Sequence, residues 1–164
     1  MKRLYLVRHA KSSWKEPALT DFDRPLNKRG KRDAPFMGKR LKEYQAQPDL
    51  IITSPARRAA KTAKIIAQEI DVPKKRIIYD ETIYEAGVSA LLHVIRQTDN
   101  SADNLMLFGH NPGLTMLAEY LSDATVGNIP TCGIFCMDFD LDSWKNVEKG
   151  EGRVVFFDYP KKHL

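Results

Sequence analysis

The sequence predicts a three-layer α/β/α fold with a mostly parallel central sheet. Short apolar runs alternate with segments of helical periodicity along the chain, and this alternation is typical of β-α units. With 164 residues, of which 43% are hydrophobic and 29% charged, one domain over residues 1–164 is the default expectation. No apolar run approaches the roughly 20 residues that span a bilayer. We therefore expect a cytoplasmic protein with no membrane association.

The first half of the chain contains two predicted strands, each followed by a helix. An apolar run predicts a strand at 2–8, and helical spacing predicts a helix at 27–44 that Asn27 caps. The run PDLIITS predicts a second strand within 48–54. In the segment SPARRAAKTAKIIAQEI, we expect Ser54 to be the N-cap of the second helix, because serine followed by proline is typical of a helix start.

The second half continues the alternation and ends with two adjacent strands. The polar segment LDSWKNVEKGEG between these last strands suggests an antiparallel hairpin at one side of the sheet. Only one short helix separates the third strand from the fourth, so no large lid insertion is expected. The predicted elements are strands at 76–80, 104–110, 133–140 and 153–159, and helices at 89–98 and 111–121.

The two cysteines, Cys132 and Cys136, are interpreted as small core residues. Their spacing along a strand is too long for an undistorted disulfide. Two thiols without neighbouring cysteine or histidine ligands do not make a zinc site. We expect no metal site and no cofactor.

Polar side chains follow the predicted strands at the edge where an open α/β sheet binds its ligands. Because the carboxyl ends of parallel strands meet at one edge, we expect two histidines, several arginines and a carboxylate to share a pocket. The residues concerned are Arg8 and His9 after the first strand, Arg57 and Arg58 after the second, Glu81, Tyr84 and Glu85 after the third, and His110 after the fourth.

This combination of side chains suits phosphoryl transfer, in which catalysis is largely positioning and electrostatic stabilisation. The planar guanidinium of arginine matches two phosphate oxygens at once. A neutral imidazole can act as the in-line nucleophile, and a second, protonated imidazole can neutralise the developing charge. The helix after His110 would also direct backbone N–H groups at the site. This chemistry requires no metal.

The segments LYLVRHA, SPARRAAKT and FGHNPG, in this order, resemble the histidine phosphatase superfamily, which includes the phosphoglycerate mutases. The resemblance implies a phosphoglycerate mutase-like fold, with His9 as the phosphorylated nucleophile and Arg8 and Arg58 as phosphate ligands. It also implies that His110 is the second catalytic histidine. Ala10 departs from the glycine usual at that position, and we expect a negative φ there, which leaves these roles intact.

Within the superfamily, the chain resembles the short SixA-type phosphohistidine phosphatases, because RHAKSSW and DFDRPLNKRGKRDA match that branch and there is no room for a lid. The branch implies that Arg24 lines the phosphate pocket, and an ion pair of Arg24 with Asp21 or Asp23 is the alternative. Ser12 or Lys11 could also reach the phosphate.

The resemblance implies a metal-independent phosphatase acting through phospho-His9, with phosphohistidine on a protein as substrate. Phosphomonoesters of small metabolites become possible substrates if Glu85 is buried beside the phosphate as a general acid, and not if it points to solvent. A phosphate-binding module without turnover is a second hypothesis. Nucleic acid is not expected as a partner, because the net charge of +5 is spread out and no stripe of basic and aromatic residues is present. The sequence does not define the oligomeric state.

Overall fold

A computed structural model describes residues 1–164, and its core is one six-stranded sheet. The strand order is β3-β2-β4-β1-β5-β6. The first four strands in this order are mutually parallel, whereas β5 is antiparallel to β1 and β6 is antiparallel to β5. The strands are β1 (Lys2–Arg8), β2 (Leu50–Thr53), β3 (Ile77–Tyr79), β4 (Asn104–Gly109), β5 (Ile134–Phe139) and β6 (Arg153–Asp158).

Four helices cover the sheet, two on each face. Buried residues of the first two helices share a hydrophobic cluster with Tyr5 and Val7, and those of the last two share a cluster with Leu4 and Leu6. Successive residues of a strand point to opposite faces, so β1 contributes to both clusters. The helices are α1 (Lys28–Glu43), α2 (Arg57–Glu69), α3 (Val88–Arg96) and α4 (Gly113–Ser122). The predicted three-layer architecture and the antiparallel strand pair at one side are confirmed.

The start of α2 differs from its prediction. The helix begins at Arg57, its N-cap is Ala56, and no side chain caps it. Ser54 lies three residues before the start of the helix, and its N–H donates to Phe108 O, 3.1 Å away, so Ser54 continues the pairing of β2 with β4. Its hydroxyl group lies instead at the candidate functional site. By contrast, the predicted cap of α1 is confirmed, since the side chain of Asn27 accepts a hydrogen bond from Gly30 N.

Residues 80–103 connect β3 to β4 through a short 3-10 turn and α3, so no lid insertion covers the sheet edge. Both cysteines are free and buried, as predicted. None of the helices combines the length and apolar character needed to cross a membrane.

Candidate active site

The central strands position the two histidines of the site side by side. In the parallel pairing of β1 with β4, Arg8 lies opposite Gly109, so the next residues of the two strands are His9 and His110. The ring centroids of these histidines are 5.2 Å apart. The pairing of residues far apart in the chain thus places both imidazoles at the carboxyl edge of the sheet, where the sequence predicted them.

Hydrogen bonds fix the tautomer of His9. Its Nδ1 lies 2.8 Å from Ala10 O, and a carbonyl oxygen only accepts, so Nδ1 carries the hydrogen. The lone pair is then on Nε2, which accepts a long hydrogen bond of 3.4 Å from Arg58 Nε. Burial lowers the pKa of His9 to about 3, although the hydrogen bond to Ala10 raises it in part. The ring is therefore neutral near pH 7. Ala10 is not among the residues with positive φ, and its φ is negative, as expected.

His110 is held by Ser54, a contact that the sequence analysis did not foresee. Ser54 Oγ accepts from Ala56 N at 3.2 Å and lies 2.8 Å from His110 Nε2. The serine hydroxyl makes no hydrogen bond to any other acceptor, so its hydrogen is available to Nε2, and with Nε2 accepting, the ring hydrogen lies on Nδ1. Burial, with the nearby charge of Arg58, lowers the pKa of His110 to about 4. His110 is therefore neutral near pH 7 in the ligand-free protein, and its protonation during the reaction stays a prediction.

Arg8 and His110 each contribute a buried nitrogen without a hydrogen-bond partner. These atoms are Arg8 Nε and His110 Nδ1. The remaining contact of the Arg8 guanidinium is a hydrogen bond of 3.0 Å from Nη1 to Ile129 O. The pKa of Arg8 is lowered, first by burial and then by the nearby positive charge of Arg58. Positive charge is therefore concentrated here without full compensation. A buried polar group without a partner costs about 1–3 kcal/mol, so an acceptor bound between these nitrogens would be strongly favoured.

Asp21 organises the outer wall of the site. Its carboxylate accepts hydrogen bonds from Arg58 Nη2 at 3.0 Å, Arg24 Nη1 at 2.9 Å and Tyr84 Oη at 2.6 Å, and its backbone carbonyl accepts from Arg58 Nη1 at 2.7 Å. The hydrogen bonds from Tyr84, Arg24 and Arg58 hold the pKa of Asp21 well below its usual range. From the sequence, Asp21 is predicted only as a possible partner of Arg24. Its bonds to Arg58, which set the direction of that guanidinium, were missed.

Arg24 forms an ion pair with Asp21, which was the predicted alternative to a contact with phosphate. Besides Asp21, it donates to Ser13 O at 3.0 Å and to Ser12 Oγ, and it is buried. The ring of Trp14 lies over its guanidinium with 3.2 Å between Arg24 Cζ and the ring centroid, and 74% of Trp14 is exposed. Ser12 is buried and bonded to Arg24, so these two predicted residues lie together in the wall of the site.

The remaining predicted residues lie at the rim. Glu85 is exposed, with no hydrogen bond or ion pair, and Lys11 is also exposed. Two amides at the start of α4 are already used, because Leu114 N donates to His110 O and Thr115 N donates to the side chain of Asn111. These two N–H groups are therefore not directed at the site. Nowhere in the structure do three or more His, Cys, Asp or Glu residues form a group that could hold a metal ion.

The fold and the paired histidines define an α/β protein of the phosphoglycerate mutase-like type. A family model described as the histidine phosphatase superfamily (branch 1) matches residues 4–91. An uncharacterized protein of Mycobacterium tuberculosis is 31% identical over 94% of this chain and 100% of its own length. An uncharacterized chloroplastic protein of Arabidopsis thaliana is 31% identical over 89% of this chain and 70% of its own length. The chain belongs to the histidine phosphatase superfamily.

Solved structures share the fold over the whole chain. A protein of Agrobacterium tumefaciens assigned as the phosphohistidine phosphatase SixA superposes with a TM-score of 0.83, with 28% identity, and covers 97% of this chain and 98% of its own. The protein histidine phosphatase SixA complexed with tungstate has a TM-score of 0.84 and covers 99% of both chains, but at 18% identity this likeness concerns the fold alone. Together with the family, these findings make the chain a phosphatase, a hydrolase that acts through histidine.

Proposed function

We propose that this phosphatase removes the phosphoryl group from phosphohistidine on a protein, with His9 as the nucleophile. The observation that carries this proposal is the arrangement of three nitrogen atoms. The His9 ring, with its lone pair on Nε2, lies 5.2 Å from the His110 ring, measured between ring centroids, and both His110 Nδ1 and the adjacent Arg8 Nε are buried nitrogens without partners. A phosphoryl group held by these two donors would present its phosphorus atom to the lone pair.

The first chemical step forms a bond from His9 Nε2 to phosphorus and breaks the P–N bond of the substrate. The electron pair of the broken bond returns to the substrate imidazole, which leaves as the neutral ring when its other nitrogen carries a proton. Arg8 and Arg58 offset the negative charge on the phosphoryl oxygens, and His110 donates from Nδ1. The hydrogen on His9 Nδ1 stays donated to Ala10 O, which keeps the nucleophilic lone pair on Nε2.

The second step transfers the phosphoryl group from His9 to water. The water oxygen forms the new bond to phosphorus, the bond from phosphorus to Nε2 breaks, and its electron pair returns to His9. The protons of the water leave with inorganic phosphate, so the enzyme regains its starting state. The guanidinium groups supply the positive charge that this transfer needs, so the proposed mechanism does not call for a metal.

Phosphohistidine on a protein is favoured over a small phosphomonoester by the exposure of the site and of Glu85. The short connection between β3 and β4 leaves the sheet edge accessible to a folded partner. An alkoxide leaving group needs a proton from a general acid, and Glu85 is exposed to solvent instead of being buried beside the phosphate. An imidazole leaving group whose other nitrogen already carries a proton leaves as a neutral ring and does not need a general acid. The proteins named SixA among the structural neighbours agree with this substrate class.

Trapping the phosphorylated enzyme tests the mechanism. After brief incubation with a ³²P-phosphohistidine peptide and quenching in base, we expect label on the protein that acid removes. His9→Ala should abolish the label, whereas His93→Ala, which changes an exposed histidine of α3, should retain it. Label on the His9→Ala variant would overturn the mechanism. Tight binding of phosphate without turnover of any phosphohistidine or aryl phosphate would favour a phosphate-binding module instead.

A further inference from the structure

A basic groove lies beside the candidate active site, between the start of α1 and the exposed face of α2. Its volume is about 480 Å³, and four cationic side chains line it above a partly apolar floor of Pro25, Leu26 and Ala60. The cations are Lys31, Arg57, Lys61 and Lys64. No acidic residue is among the lining residues. We use the name basic groove for this surface.

The cations of the basic groove have no ion-pair partners, unlike three arginines of α1. In α1, Arg29 and Arg32 pair with Asp33, and Arg40 pairs with Glu43. None of the four groove cations forms a salt bridge, and Arg57 has one weak hydrogen bond of 3.4 Å to a backbone carbonyl.

Three of these cations also repel one another along α2. Arg57, Lys61 and Lys64 recur at helical spacing, and all three side chains are exposed. Like charges one helical turn apart destabilise a helix by a few tenths of a kcal/mol per pair. The stability of the helix therefore does not account for this arrangement, whereas the binding of an anionic ligand would.

The groove is continuous with the active site. Arg57 directly precedes Arg58, and its guanidinium donates to Asp23 O in the segment that also contributes Asp21 and Arg24 to the wall of the site. From Arg57 to Lys64 the helix rises by about 10 Å, which matches about three residues of extended polypeptide.

We propose that the basic groove binds an acidic segment of the protein substrate, next to the phosphohistidine that enters the active site. This proposal rests on the proposed function, because it assigns the partner of the same site. Several separate cations along an extended path match carboxylates that recur along a polypeptide. Nucleic acid fits less well, since no aromatic side chain lines the groove to stack on a base.

Peptide binding tests the groove independently of catalysis. The probe is a fluorescein-labelled peptide of alternating glutamate and serine, compared by anisotropy with a peptide of alternating glutamine and serine. The groove variant combines Lys61→Glu with Lys64→Glu. The matched control combines Lys74→Glu with Lys75→Glu, two exposed lysines just before β3 and therefore at the opposite edge of the sheet.

We expect the native protein and the control to bind the glutamate peptide, with affinity that falls as salt rises. The groove variant should bind it about tenfold more weakly, because two attractions become repulsions of similar size. Equal binding of the two peptides, or equal affinity of the groove variant, would overturn the proposal. So would a single-stranded oligonucleotide that binds the groove more tightly than the glutamate peptide does.

Hydrolysis separates this proposal from the proposed function. Two peptides each carry one phosphohistidine, flanked by glutamates in one and by glutamines in the other. We expect a higher kcat/KM for the acidic peptide, and the groove variant should remove that preference while its turnover of an aryl phosphate stays unchanged. Equal kcat/KM for both peptides in the native protein would overturn the groove alone. Intact binding of the glutamate peptide without hydrolysis of either substrate would support the groove and overturn the proposed function.

Discussion

Asp21 determines which way the Arg58 guanidinium faces. Both terminal nitrogens of Arg58 are bonded to Asp21, and only Nε is directed at His9. In Asp21→Asn the bond from Nη1 to the backbone carbonyl remains. The amide oxygen can still accept the bond from Nη2, but it carries no charge. We expect kcat for an aryl phosphate to fall by between about tenfold and about a hundredfold, because a small misplacement of a charged group costs that much. Steady-state kinetics measures the change.

Asp23→Asn is the matched control for this prediction. Asp23 lies in the same 3-10 turn as Asp21, and its exposed carboxylate accepts a hydrogen bond only from Thr20 Oγ1. The control should retain its kcat within about twofold, as is usual for surface changes. An Asp21→Asn variant with the activity of this control would show that Arg58 does not depend on the carboxylate.

Ser54 sets the tautomer of His110. In Ser54→Ala the ring loses the hydroxyl that donates to Nε2, so the hydrogen is free to move from Nδ1 to Nε2. We expect ¹⁵N NMR shifts of His110 to change from those of one tautomer to those of a mixture, together with a lower kcat. Urea unfolding of the same variant separates this effect from a general loss of stability. Unchanged His110 shifts would contradict the assigned role of Ser54.

The sequence predicted the paired histidines but not the residues that orient them. Arg8 ends β1, His9 and His110 directly follow β1 and β4, and Arg58 lies in the first turn of the helix after β2. A parallel sheet brings such positions to one edge without any detail of packing. Ser54 reaches His110 only through the lateral pairing of β2 with β4, a register that no local pattern reveals. Residues around Asp21 lie in an irregular segment without periodicity, so their side-chain contacts could not be inferred.

At the scale of elements, the start of α1 packs directly against the segment that follows His9. Asn27 N donates to Lys11 O at 3.0 Å, and a Cβ added at Gly30 would lie 2.2 Å from the same oxygen. Helix propensity alone predicts that Gly30→Ala stabilises by about 1 kcal/mol. The clash predicts the opposite, a loss of roughly 1–3 kcal/mol typical of overpacking. Urea unfolding decides between the two.

Gly87→Ala provides the comparison for this substitution. Gly87 is the N-cap of α3, its φ is negative, and a Cβ there would have no neighbour within 4 Å. We expect a loss below about 1 kcal/mol, from the weaker N-cap preference of alanine. If Gly30→Ala were as stable as the native protein, the close approach of α1 to Lys11 would not constrain the segment.

The existence and order of the elements were predictable because each periodic segment also has the length and flanking residues of its type. The predicted helix at 27–44 corresponds to Lys28–Glu43, and the predicted strand at 2–8 corresponds to Lys2–Arg8. The start of α2 was less predictable. The serine-proline pair indicates a helix start at Ser54, whereas the backbone hydrogen bond from Ser54 N to Phe108 O of β4 extends the sheet through that residue. Tertiary pairing decided that boundary.

For the whole molecule, the two buried histidines link stability to pH. The folded-state pKa is about 3 for His9 and about 4 for His110, chiefly because of burial, whereas histidine in an unfolded chain has a pKa of about 6.5. As the pH falls below about 6.5, the unfolded chain takes up protons that the folded protein does not. The stability associated with these groups is therefore complete above about pH 6.5 and decreases as the pH falls towards 4.

Urea unfolding at pH 7.5 and pH 5.0 measures this dependence. We expect a lower free energy of unfolding at pH 5.0, and a smaller difference between the two pH values in His9→Gln, because glutamine does not titrate. Asp21, Asp138 and Asp158 also have lowered pKa values, but aspartate in an unfolded chain titrates near pH about 4, so their contribution is lost mainly below this range. The interval from pH 7.5 to 5.0 thus reports mainly on histidine, and because His163 also contacts Asp158, the comparison with His9→Gln assigns the part that belongs to His9. The same pH dependence in the native protein and in His9→Gln would mean that His9 is not held neutral by its burial at the sheet edge.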